Sequence, residues 1–215
     1  IFFYYIIQKR NFLSNKNTSK SNLEVFMDSK LAQVEKIAGK KLRNFMTVDF
    51  GRKEKTYLNT YSIIIENRKL EEFMEEIKEI LEPDFNAFIG TTNFLAPIND
   101  EKIKKGVPYS EVVISKIDSW HDILRLSESN AINFSMETED LIEKLEEYDN
   151  EYGISILQAE TDTVVVAFET LPDEFIELAE DIYEFCPDIV DQGSGDINDI
   201  IDSLENTNTI FLWWD

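Results

Sequence analysis

The chain has 215 residues, 43% hydrophobic and 12% aromatic, so it can build a core and is not a disordered acidic chain despite a formal charge of -22. Its one cysteine, Cys186, and one histidine, His121, exclude an intrachain disulfide and any Cys/His zinc constellation. Residues 1–60 carry twelve Lys and Arg against five acids, whereas the 71 residues after Lys144 hold twenty acids and no Lys or Arg, a surface that repels nucleic acid and anionic lipid.

The first seven residues, "IFFYYII", are wholly apolar and precede "QKR". Seven residues do not span a bilayer, which takes roughly 20. Three readings stay open for residues 1–22: the end of a membrane anchor followed by a polar linker, the remains of an export signal, or an ordinary element start. Residues 23–46 predict a helix with Val25, Leu31, Val34 and Ile37 near one face, weakened at its end by Gly39. "TYSIIIEN" (60–67) predicts a strand, "RKLEEFMEEIKEILE" (68–82) an amphipathic helix stopped by Pro83, and "FNAFIGTT" (85–92) a second strand.

A turn-rich stretch with Pro97, Gly106 and Pro108 follows. Then come a strand at 110–117, a helix at 118–131, and a helix at 138–153 with Thr138 as N-cap and Gly153 at its C-terminal end. "ISILQAETD" and "TVVVAFET" predict a hairpin turning near Thr161-Asp162. A helix over 171–188, a short helix capped by Asp196, and a final strand "TIFLWWD" close the chain. These elements predict an α+β fold: a mixed or antiparallel sheet with helices packed on it, residues 23–215 forming one domain. Stripped of an extra helix at each crossover, the C-terminal half reads as the split β-α-β pattern of ferredoxin-like folds.

The stretch "FCPDIVDQGSGD" (185–196) draws most attention as a functional loop, with Cys186, Asp188, Asp191, Gln192, Gly193 and Asp196 as its candidates. Thiol catalysis needs an electropositive setting, and Cys186 has Glu184, Asp188 and Asp191 as neighbours instead. Phe175, Leu178, Ala179, Ile182, Phe185 and Cys186 recur at helical spacing, which places the thiol on a buried stripe. The three aspartates lack the spacing of an EF-hand calcium loop, and Gly193 and Gly195 suit a turn between helices. A Cys186–His121 dyad is the other conceivable chemistry. In the final strand Trp213 and Trp214 point to opposite sides, one toward the core and the other either packed under the preceding helices or exposed as a contact residue. No catalytic residue, metal ligand or cofactor is assigned.

"FNAFIGTTNFL", "EVVISKIDSWHDILRL", "TEDLIEKLEEYDNEYGISILQAETDTV", "LPDEFIELAEDIYEFCPDIVDQGSGDINDI" and "IFLWWD" resemble, in that order, the bacterial domain-of-unknown-function family 4253 over roughly residues 85–215. The matching positions include Phe185, Cys186, Pro187, Asp188, Asp191, Gln192, Gly193, Trp213, Trp214 and Asp215. The resemblance implies domain limits and brings no established activity. In the family pattern the place of His121 is usually a non-histidine aromatic, which speaks against a Cys–His mechanism.

Two functional expectations follow. The first is a non-enzymatic, immunity- or regulation-like protein that binds a basic protein partner and no nucleic acid, in the cytoplasm, or alternatively membrane-tethered or exported through its N-terminal segment. The alternative is an enzyme using Cys186 or a metal at Asp188, Asp191 and Asp196.

Overall fold

The computed structural model describes residues 29–46, 56–92 and 106–215. The apolar segment and linker at 1–22, the start of the first helix at 23–28, and Pro97 lie outside the described residues.

Helix α1 covers residues 29–38 and ends at Gly39, whose φ of +66° takes the chain out of helical geometry. The expected helix over 23–46 is thus too long at its C-terminal end: Arg43–Met46 is strand β1. Strand β2 (Thr56–Glu66), helix α2 (Leu70–Leu81) and strand β3 (Asn86–Ile89) follow the expected order. Helix α2 forms because Phe73, Ile77 and Leu81 make one buried stripe while its glutamates face water. The Lys30 ammonium ties α1 to the end of α2, bonding the carbonyls of Leu81 and Glu82 at 3.1 and 2.8 Å and pairing with Asp84 at 2.6 Å.

Strand β4 (Tyr109–Ser115) is buried along its whole length. Helices α3 (Trp120–Ser127) and α4 (Thr138–Tyr152) lead to the hairpin of β5 (Ile154–Ala159) and β6 (Thr163–Phe168). The cap of α4 is Glu137 rather than Thr138: Glu137 and Asp140 form a reciprocal capping box, in which the Glu137 N–H donates to Asp140 at 2.7 Å. Helix α5 (Ile176–Phe185), a π-type turn (Ile189–Ser194), helix α6 (Asn198–Thr207) and strand β7 (Thr209–Trp213) complete the chain. Helix α5 begins several residues later than Pro172.

The fold is α+β, with one seven-stranded mixed sheet in the order β1-β2-β4-β3-β5-β6-β7. Its only parallel pair among the described residues is β3 with β5. This order does not confirm the ferredoxin-like pattern expected for the C-terminal half. A split β-α-β unit is present earlier: β2, α2 and β3, with β4 lying antiparallel between the two strands. The last strands form an antiparallel run, β5-β6-β7.

Because alternate strand residues face opposite ways, the sheet feeds two cores. On one face Phe88, Val113, Ile156, Val164, Val166, Ile210, Leu212 and Trp214 pack beneath α3 to α6. On the other, Ile63, Ile65, Val112 and Ile114 pack beneath α1 and α2.

Candidate functional site

Helix α5 delivers Cys186 to the edge of the sheet. Its last turn is buried through Ile182 and Phe185, and the Cys186 N–H still donates to the Ile182 carbonyl at 2.9 Å. Pro187 has no N–H to continue the ladder. Strand β7 is the outermost strand, and its even-numbered residues bond to β6: the Trp214 N–H donates to the Asp162 carbonyl at 3.0 Å. The backbone groups of Trp213 therefore face away from the sheet. Cys186 meets both of them. Its thiol donates to the Trp213 carbonyl at 3.0 Å, and its sulfur accepts the Trp213 N–H at 3.3 Å.

Asp188 does the same one step further along the strand. Its Oδ2 accepts the Asp215 N–H at 2.9 Å, and its Oδ1 accepts from the Gln192 amide at 2.8 Å. Trp214 points inward, buried to 3% exposure, with its ring edge-on to Phe185 at 5.3 Å and its indole N–H donating to the Phe185 carbonyl at 3.2 Å. Trp213 faces the other way and is half-buried, as alternation requires. The segment "FCPDIVDQ" and the terminal "WWD" are thus one clamp that closes the open edge of β7.

The other candidates have separate tasks. Asp191 accepts from the Tyr183 hydroxyl at 2.9 Å, and Asp196 accepts the Asn198 N–H at 2.9 Å at the start of α6. Gly193 breaks the helical path inside the π-type turn at φ -96°, ψ -105°, and Gly195 at φ +78° occupies the left-handed region that favours glycine. The structure does not gather Asp188, Asp191 and Asp196 about one point. Among the described residues no group of three or more His, Cys, Asp or Glu side chains is arranged to hold a metal ion.

Cys186 has no accessible surface, and burial, followed by the nearby Asp188 charge, pushes its thiol up to about 12. His121 is engaged elsewhere. Its Nδ1 lies 3.0 Å from the Ser119 hydroxyl, its Nε2 lies 3.1 Å from Glu146 outside good hydrogen-bond geometry, and its ring rests 4.0 Å from that of Trp120. Neither residue is a partner of the other, so the structure offers no Cys–His dyad.

Three buried glutamates escaped the sequence reading: Glu128, at the end of α3, and the pair Glu111 and Glu160. Glu111 and Glu160 flank the end of β3. Glu111, fully buried on β4, pairs with Arg43 from β1 and lies 3.4 Å from the Thr91 N–H. Glu160, at the end of β5, accepts from the Thr92 hydroxyl at 2.7 Å and the Gln158 amide at 2.8 Å. Burial holds the Glu160 carboxyl above its ordinary range, against those hydrogen bonds. A raised folded-state value means the folded protein binds the proton more tightly than the unfolded chain. The Glu160 contribution to stability is therefore fully present below the ordinary glutamate range and is lost as pH rises through the raised value. Glu160→Gln, which keeps an acceptor for Thr92, flattens that fall in a series of melts across pH and does not lower stability at pH 7. A melt at pH 7 that drops by several degrees contradicts this account.

Two surface cations of the C-terminal half, Arg125 and Lys144, are committed to acids. Arg125 grips Glu139 through two bonds of 2.8 Å each. Lys144 bridges Glu147 at 2.7 Å and Asp181 at 2.9 Å, joining α4 to α5. Glu143, Glu151, Glu177, Glu180 and Glu184 are exposed, and none has an ion pair among the described residues.

Residues 111–215 match the family model described as a domain of unknown function, DUF4253, which runs from within β4 through β7 and takes in the whole clamp. No curated protein matches the chain. No solved structure matches it.

Proposed function

We propose that this chain, whose residues 111–215 carry the DUF4253 domain, acts by binding a basic partner rather than by covalent chemistry. The observation that carries this reading is the charge of the C-terminal half: twenty acids, of which only Glu160 and Asp188 are buried, and no Lys or Arg follow Lys144, and the cations next before them in sequence, Arg125 and Lys144, are paired with Glu139, Glu147 and Asp181. A field of one sign steers an oppositely charged partner and raises its rate of encounter. The buried thiol and the separately employed aspartates of 186–196 favour this reading over the enzyme alternative. A small regulatory or immunity-like binder is the kind of protein such a surface suits.

A fluorescent oligolysine peptide supplies the test. Its affinity, read by anisotropy, falls at least about tenfold between about 50 and about 300 mM salt, because exposed charge is screened beyond a Debye length of about 10 Å at 0.1 M. No binding at low salt, or an affinity indifferent to salt, overturns the proposal.

A further inference from the structure

Among the described residues the helical layer of one sheet face stops halfway. Helices α1 and α2 cover β2, β4 and β3, and α2 packs directly on β3. The next strands on that face are β5, β6 and β7, which present Leu157, Val165, Ala167, Phe211 and Trp213. None of these five side chains belongs to either of the two cores. Phe211 is 51% exposed and Leu157 is 42% exposed. The opposite face of the same three strands is fully packed, so the strands are held in place independently of whatever meets Phe211.

From this geometry we infer that the open face of β5-β6-β7 is the docking surface for the basic partner, taken up as a cationic amphipathic helix lying beside α2. The inference rests on the binding function proposed above and gives it a place. Three observations support the choice of occupant. Helix α2, which packs on β3 next to that floor, is acidic on its exposed side: Glu71, Glu75, Glu79 and Glu82 face water with Lys78 among them, while Glu72 and Glu76 border a groove shared with α1 and β2. The floor itself comes from the part of the chain that has no Lys or Arg, so nothing there repels a cation. The edge of β7 is capped at both ends, by Ser203 on the Thr209 carbonyl at 2.9 Å and by Cys186 on Trp213 and Asp188 on Asp215, leaving at Phe211 an uncapped run too short to pair with an added strand. An occupant must therefore lie on the face rather than extend the edge. A second copy is disfavoured because two chains of charge -22 repel each other.

The experiment titrates a labelled Leu/Lys amphipathic peptide of about eighteen residues, long enough to cross three strands, at about 50 mM salt. Leu157→Ser with Phe211→Ser weakens binding at least about tenfold, as does changing Glu71, Glu75 and Glu79 together to Gln. Glu177→Gln with Glu180→Gln and Glu184→Gln, on the opposite helical layer, leaves binding within about twofold. Circular dichroism melts check that each variant is folded. Should the serine variant unfold, amide shifts in the unaltered protein take over, and peptide-induced changes centred on Val165 and Phe211 support the assignment. If the α5 changes abolish binding and the sheet-face changes do not, this docking surface is wrong while the proposed function stands. If the peptide fails to bind at all, the proposed function falls and the docking surface with it. If the unaltered protein sediments as a dimer that Phe211→Ser dissociates, the face belongs to a second copy and the basic partner is overturned there.

Discussion

Trp214→Ala lowers the stability of the folded protein by about 3–5 kcal/mol, read as a shift in denaturant midpoint at unchanged slope. Trp214 is buried to 3% exposure in the larger core, so truncation leaves a cavity that neighbours cannot fill without moving. It also removes the edge-on contact with Phe185 and leaves the Phe185 carbonyl without its 3.2 Å indole donor. An unpaired buried acceptor adds about 1–3 kcal/mol to the loss, within that range. Trp214→Phe separates the two effects, because it keeps most of the volume and drops only the hydrogen bond. The expected cost of the phenylalanine is a fraction of that of the alanine. A cost below about 1 kcal/mol for Trp214→Ala means the C-terminal strand is not docked as described.

The sequence reading succeeded where a local pattern carried the information. Helix α2 shows a clean apolar stripe, and the β5-β6 hairpin turns at Thr161-Asp162, where the Glu160 N–H donates to the Thr163 carbonyl at 2.8 Å. The buried place of Cys186 follows from the same kind of spacing, 175 to 186. Strand β1 escaped because "RNFM" is four residues long with Phe45 as its one buried side chain, too short for a period of two to register. The insertion of β4 between β2 and β3, and the pairing of β3 with β5, are long-range choices that no segment encodes alone.

At the site, the distinction between a turn and a clamp lay beyond local reading. The contact of Cys186 with Trp213 spans 27 residues and joins a thiol to backbone groups, which carry no side-chain pattern. Glu111 and Glu160 were missed for a related reason. A glutamate in a strand reads as facing water, and only the approach of Arg43 in one case and Thr92 in the other shows why it is inside. The matching positions of the family resemblance, between Phe185 and Gly193 and from Trp213 to Asp215, lie in two segments that hold each other. That contact explains their chemistry as architecture and moves attention to the surfaces around them.

The claim that "FCPDIVDQ" is a structural clamp and not a reactive loop is tested most directly by timing the reaction of Cys186 with a thiol reagent, first folded and then in denaturant. The thiolate is the reacting form. A thiol pushed up to about 12 in the folded protein, against about 8.5 in an unfolded chain, has its thiolate population near pH 8 cut by about three orders of magnitude. Lack of accessible surface slows the reagent further. The expected result is reaction at least about a thousandfold slower in the folded state than in denaturant, proceeding only as the clamp opens. Reaction in the folded state at the rate of a free thiol, or faster, contradicts the clamp, reopens Cys186 as a nucleophile, and removes the ground for seeking function on the surface instead.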